Sequence, residues 1–170
     1  MRDGTKFRNM AIIATFESMN HLEELVKEYY EYQGFFVRAN VRFNKLPSGG
    51  YQGEADILAY EANTKKLWHI ECSEAAYSDS EISGKPKKKF PPGLDYCNLL
   101  GVDINDVSKV FIVGQSGVSK GTLMPHGIVH KSLKEFMNEI YSHILDDFLH
   151  EAIPENYPLL RTLQLLKWAK

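Results

Sequence analysis

Two short runs constrain this chain more than anything else in it: Gly53-Glu54-Ala55-Asp56-Ile57-Leu58-Ala59-Tyr60 and Lys66-Leu67-Trp68-His69-Ile70-Glu71-Cys72-Ser73. Apolar and aromatic residues dominate both, as in buried strands, and single carboxylates break the pattern. The short polar connector Glu61 to Lys65 suits a hairpin, which would make the runs antiparallel neighbours and bring Asp56 towards Glu71. A carboxylate inside a strand is costly to bury unless it is paired, protonated or bound to a cation. Alternation predicts Glu54, Asp56 and Leu58 on one face, with Ala55, Ile57 and Ala59 on the other. On the second run Leu67, His69, Glu71 and Ser73 go together, opposite Trp68, Ile70 and Cys72. Hard oxygen donors gathered in this way suit magnesium or manganese, which use only one or two protein carboxylates.

The flanking segments supply a frame. Ser18 to Gln33 has the clearest helical period, with Leu22, Leu25, Val26, Tyr29 and Tyr30 on one stripe, Ser18 or Asn20 as cap and Gly34 as stop. Steps of 100° put Glu23 at the margin of that stripe and Glu24 nearly opposite it, so Glu23 is the better placed of the two for a site. Phe35 to Phe43 alternates as a half-buried strand, with Phe36, Arg38, Asn40 and Arg42 against Phe35, Val37, Ala39, Val41 and Phe43. Asn44 to Gly53 reads as a loop and Glu74 to Gly84 as polar and irregular. Lys85-Pro86-Lys87-Lys88-Lys89 is the most basic stretch, and Pro91-Pro92 is expected to limit any helix there. Ser108 to Gly114 reads as a buried strand and Leu123 to His130 as a short one. Ser132 to Leu149 is an amphipathic helix, and Leu159 to Lys170 a last helix that closes the core or meets a second subunit.

Composition excludes some classes. With 170 residues and 44% hydrophobic content, a single domain over 1–170 is expected, with a core over about 18–150 and a helical extension over 151–170. A net charge of −2 does not mark a general coat for nucleic acid, so any such contact must come from local patches. Two cysteines, Cys72 and Cys97, provide no disulfide framework, which fits a reducing cytoplasm, and no signal peptide or apolar membrane-spanning run is visible. His126 and His130 stand four apart, but Pro125 and Gly127 argue against a helical zinc pair. His69 reads more readily as a satisfied structural histidine than as a substrate contact. His143 and His150 belong to no ligand pattern. A serine-hydrolase elbow and a cysteine-rich zinc signature are both absent.

A helix carrying Glu23 or Glu24, a strand opening at Gly34-Phe35-Phe36-Val37-Arg38, then Gly53-Glu54-Ala55-Asp56-Ile57 and Ile70-Glu71-Cys72-Ser73, resembles the PD-(D/E)XK, or restriction-endonuclease-like, nuclease superfamily over roughly residues 20 to 115. The resemblance implies an α/β fold: a central mixed sheet of four or five strands flanked by helices, in the order helix, three strands, helix, strand, helix. It further implies that Asp56, Glu71 and the backbone carbonyl of Cys72 hold Mg2+ or Mn2+, that Glu23 or Glu24 assists through a water or a second ion, and that phosphodiester bonds of nucleic acid, DNA first, are hydrolysed. Ser73 stands where the superfamily usually has lysine. The segment after this strand forms a helix beside the site in the superfamily, so Lys88 and Lys89 become the candidates to replace the missing cation. Lys85, Lys87, Lys88, Lys89, Arg38 and Arg42 are the candidate nucleic-acid contacts. A homodimer is permitted. The alternative is a scaffold of the same kind that binds nucleic acid or protein without hydrolysis, which explains Ser73 directly.

Overall fold

The computed structural model describes residues 19–99, 101–116, 123–124, 127–145 and 151–169. Helix α1 (His21–Tyr32) starts at a reciprocal cap: the Asn20 side chain accepts from the Glu23 amide while the Glu23 carboxylate accepts from Asn20. It ends where Gly34 takes a left-handed φ of 88°. Strands β1 (Phe36–Lys45), β2 (Tyr51–Glu61) and β3 (Lys66–Tyr77) follow, then helices α2 (Asp79–Gly84) and α3 (Pro86–Leu99) and strand β4 (Val107–Ser116). Strands β5 (Leu123–Met124) and β6 (Ile128–Ser132), helix α4 (Leu133–Ile140) with a π turn (Tyr141–Leu145), and helix α5 (Pro158–Trp168) complete the described chain.

The fold is α/β, with a mixed sheet in the order β1-β2-β3-β4-β6-β5 flanked by helices. Five strands have substantial length, and β5 is a two-residue edge. β1, β2 and β3 form an antiparallel meander. β4 lies parallel to β3, which requires a crossover, and α2 with α3 provides it. On one face α1, α4 and α5 bury Leu22, Val26, Tyr29, Phe136, Ile140 and Leu160 against Ile57, Ile70 and Ile112. On the other, α3 covers Val41, Phe43, Leu58, Leu67 and Val107 through Cys97 and Leu94.

Several elements depart from the sequence expectation. Strict alternation fails along the β1–β2 hairpin. Val37, Ala39, Ile57 and Ala59 pack in the α1 core, whereas Val41, Phe43 and Ala55 pack in the α3 core with Leu58. Register is unchanged across this point, from Ala39 opposite Ile57 to Val41 opposite Ala55, so no residue is inserted. Between them Asn40 takes φ 51°, a conformation asparagine tolerates better than most residues, and the hairpin turns towards a new layer there.

The prolines do not stop α3, which runs through both Pro91 and Pro92. Phe90 and Cys97 are fully packed on its inner face, and this burial outweighs the lost backbone donors. The loop expected over Asn44 to Gly53 is shorter, because β1 reaches Lys45 and β2 begins at Tyr51. β3 also continues past Ser73. Its pairing with β4 shifts between Ser73–Val113 and Ala76–Gln115, a bulge that sequence alternation does not announce. Gly114 permits it, since a Cβ there would lie 2.2 Å from the Glu74 carbonyl oxygen.

The amphipathic segment from Ser132 forms α4 and then widens into the π turn, and residues 146–150 lie outside the described part. Ser18, His126 and His150 also lie outside it. α5 closes the core: Leu160 is buried, and Glu28 Oε2 accepts from the Leu159 and Leu160 amides, each at 2.9 Å, while Oε1 accepts from the Leu159 amide at 3.2 Å. Among the described residues no helix is long and apolar enough to cross a membrane.

Candidate active site

β2 and β3 pair from Glu61–Lys66 up to Ile57–Ile70, and no further pairing of the two is formed beyond that rung among the described residues. Just past it the Asp56 carboxylate takes over from the ladder, its Oδ2 accepting from the Cys72 amide at 2.8 Å. Asp56 therefore sits where two strands part. Glu71, one residue before Cys72, is fully buried, and its Oε1 lies 2.8 Å from Nε2 of the equally buried His69. The His69 ring is held against Phe90, with centroids 4.7 Å apart, and Gly93 lets α3 approach it so closely that a Cβ would meet Cε1 at 2.2 Å.

The cation of this cluster comes from α3. Lys89 Nζ stands 3.2 Å from Asp56 Oδ2 and 2.6 Å from Glu71 Oε2, bridging the two carboxylates, while its side chain is 41% exposed. Lys88, its neighbour on the helix, is exposed, and no described contact joins it to the carboxylates. Ser73, on the strand face shared with Glu71, does not enter the cluster either. Its Oγ is 2.7 Å from the Tyr77 hydroxyl, which in turn accepts from Lys85 Nζ at 2.7 Å.

The electrostatics follow from this packing. Burial, reinforced by the charge of Glu71, pushes the Asp56 carboxyl up to about 7. Glu71 is also buried, which alone would raise it, but the His69 hydrogen bond and the Lys89 charge outweigh burial and hold it below the ordinary carboxylate range. Burial would lower the Lys89 ammonium, yet Glu71 and Asp56 together raise it. One carboxylate is thus firmly ionised, the other titrates near neutrality, and the ammonium between them stays charged.

The other predicted residues take varied places. Glu23 spends its oxygens on the α1 cap, with Asn20 Nδ2 donating to Oε1 at 2.5 Å, yet its charge is felt at Lys89, Glu54 and Glu71, and burial raises it. Glu24 pairs with Lys27 at 3.1 Å. Glu54 binds Arg42 Nε at 2.8 Å, so that arginine already holds a carboxylate. Arg38 is exposed opposite Leu58, one turn of the pleat from the cluster. The Cys72 thiol is buried in the α1 core and burial pushes it well above its ordinary value, so its part at the site is played by the backbone. The side chain of Lys87 is outside the described set. His143 meets the Tyr29 hydroxyl at 3.1 Å, and buried His130 has no hydrogen-bond partner among the described residues.

One participant escapes sequence reasoning and a second is legible only in part. Tyr77 was hidden by the β3 bulge, since Glu74-Ala75-Ala76 carries no strand-like alternation. His69 was visible as a residue two positions before Glu71 on the same face, but its bond to that carboxylate required coordinates. Among the described residues no group of three His, Cys, Asp or Glu side chains converges as a ready metal cage. Asp56 Oδ2 and Glu71 Oε2 nevertheless share one cation, Lys89, and present the hard oxygen chemistry that magnesium takes with one or two carboxylates. Their chemistry is of the kind such an ion takes, and Lys89 occupies the place between them.

No protein-family model matches the chain, and no curated protein matches it either. Among solved structures it is similar to the crystal structure of AF1548, a protein of unknown function, with 14% identity, 78% of this chain and 71% of that chain covered, and a TM-score of 0.39.

Proposed function

We propose that this chain is a divalent-metal-dependent phosphodiesterase acting on nucleic acid, on a restriction-endonuclease-like scaffold. The observation that carries the reading is the bridge from Lys89 to both Asp56 and Glu71. A strand-borne carboxylate pair and a lysine are the usual ingredients of that superfamily. Here the lysine arrives from α3 and stands beside the pair although Ser73 occupies its usual strand position. Asp56 and Glu71 would hold Mg2+ or Mn2+, which when bound supplies a Lewis acid for charge developing on the scissile phosphate. His69 fixes one oxygen of Glu71 and leaves Oε2 for the cation. Lys89, which stands beside both carboxylates, would neutralise phosphate charge and orient the attacking water.

The bridge also makes a distinctive prediction. Because Lys89 competes with the ion for the same oxygens, Lys89→Ala should strengthen Mg2+ binding by about tenfold, or ~1.4 kcal/mol. It should meanwhile slow cleavage by roughly 10²–10³, the cost of removing one electrostatic stabiliser. Lys88→Ala should change neither. Calorimetry with Mg2+ and Mn2+, paired with cleavage of plasmid, single-stranded DNA and RNA, reads both quantities. Wild-type protein that binds neither ion and cuts none of these substrates would overturn the reading.

The same bridge supports a second reading. Lys89 neutralises the carboxylate pair without any metal, as a scaffold that binds nucleic acid without hydrolysis would require. Under that reading Lys89→Ala destabilises the fold and confers no gain in metal affinity.

A further inference from the structure

Beside the carboxylate cluster lies a second rung with the opposite chemistry. The Lys89 amide donates to the Lys85 carbonyl at 3.3 Å, so Lys85, the residue just before α3, sits about one helical turn, roughly 5.4–6 Å, ahead of Lys89, and its Nζ reaches Tyr77 on β3. On the strand, Ser73 follows Glu71 on the same face by two residues, roughly 6.6 Å. Helix and strand thus advance in step. The first rung reads Glu71–Lys89, and the second reads Ser73–Tyr77–Lys85.

The two rungs differ in charge. Lys89 is matched by two carboxylates. Lys85 has only hydroxyl and ring partners: it donates to Tyr77 at 2.7 Å, and its Nζ lies 4.0 Å from the centroid of the same ring. Among the described residues no carboxylate lies in ion-pair contact with it. Glu81, the closest acid in sequence, is engaged in the α2 cap, accepting from the Ser78 hydroxyl at 2.7 Å and the Ser78 amide at 3.0 Å. Lys85 is exposed, whereas Ser73 and Tyr77 are half-buried and so held in place.

We propose that Ser73, Tyr77 and Lys85 form a phosphate-binding subsite that holds a backbone phosphate of nucleic acid next to the scissile one. This rests on the phosphodiesterase reading above. An acidic pair repels the polyanion it must cut, and a neighbouring ammonium, with the one hydroxyl proton that the Ser73–Tyr77 bond leaves free, offsets that repulsion while fixing register. Ser73 thereby has a role that needs no lysine at its position: it orients Tyr77, and Tyr77 aims Lys85. Burial would raise the Tyr77 phenol, but the bonds from Lys85 and Ser73 outweigh it and lower it, as expected for a hydroxyl that faces a cation.

The test is fluorescence anisotropy with labelled single- and double-stranded DNA and RNA oligonucleotides across a salt series, with and without Mg2+, on the full chain. Lys85→Ala should weaken binding by about tenfold and reduce the salt slope by about one phosphate contact, while Lys85→Arg preserves the slope. Tyr77→Phe and Ser73→Ala should each weaken binding severalfold without changing the slope by a full contact. Lys88→Ala serves as the comparison, because a diffuse basic patch would make Lys85 and Lys88 equivalent. Equal losses at Lys85 and Lys88, an unchanged slope in Lys85→Ala, or a wild type that binds no oligonucleotide would overturn the subsite. Cleavage is scored separately. Specific loss at Lys85 in a protein that never cuts keeps the subsite and removes the phosphodiesterase, whereas cutting with an indifferent Lys85 does the reverse.

Discussion

Asp56 and Glu71 are chemically alike and energetically opposite. Asp56 is raised to about 7 by burial and by Glu71, so between about 4 and 7 the folded protein holds a proton that the unfolded chain has released. Its contribution to stability is present at low pH and is lost as pH rises through about 7. Asp56→Asn keeps an acceptor for the Cys72 amide and deletes the charge. It should therefore stabilise the fold at pH 8 by an amount on the order of a few kcal/mol and have little effect near pH 4, where the unfolded chain also keeps the proton. Glu71 is depressed, so its contribution is present above the ordinary glutamate range and is lost as pH falls through the folded value. Glu71→Gln should destabilise at neutral pH by about 2–4 kcal/mol, because Lys89 and His69 lose their partner. Denaturant melts at the two pH values read both signs, and shifts of the same sign would contradict the assignment. If Asp56 and Glu71 hold a divalent ion as proposed, Mg2+ affinity should rise with pH up to about 7 and then level off, with proton release visible in calorimetry.

At the level of elements, α3 shows how a local rule yields to packing. Gly93 is a poor helix former, and Gly→Ala in a helix ordinarily gains up to about 1 kcal/mol. Here the added Cβ would meet His69 at 2.2 Å from Cε1 and 2.8 Å from Nδ1, so Gly93→Ala should cost about 1–3 kcal/mol instead and disturb the His69–Glu71 bond. Gly84, at the end of α2, has open space around it, and Gly84→Ala should stabilise by about 0.5–1 kcal/mol. Thermal unfolding of the two variants, with opposite displacements expected, checks the pair.

The same element marks how far the sequence could be read. Asp56 and Glu71 stood out because carboxylates in apolar strands demand an explanation, and the hairpin that joins them follows from a short polar connector. The lysine run pointed to α3, but choosing Lys89 over Lys88 depended on the phase of a helix that two prolines disguised. Tyr77 lay beyond a bulge, and no alternation reports where a strand resumes after one. The turn of the β1–β2 hairpin at Asn40 was hidden for the same reason, because register and facing layer are separate quantities.

For the molecule as a whole, the buried Glu28 carboxylate links distant parts of the described chain, accepting from the Leu159 and Leu160 amides of α5 from within α1. A carboxylate facing the positive end of a helix is favourable, and losing it leaves two amides unpaired. Glu28→Ala should cost about 2–3 kcal/mol and Glu28→Gln less, since the amide retains one acceptor oxygen. Hydrogen exchange should then show α5 amides opening well below the global transition while β3 and β4 stay protected. Uniform loss of protection would indicate that α5 is inseparable from the core.

That long-range bond also sets a clock during synthesis. Its partners are 131 residues apart, so at cellular elongation rates Glu28 leaves the ribosome roughly 7–26 s before the amides that receive it. Throughout that interval the carboxylate lacks those two donors, so this end of α1 reaches its final pairing only when α5 docks. The final docking of α5 then acts as a checkpoint: nascent chains stalled before Leu159 should remain open to protease at α1, and those extended past Trp168 should resist it.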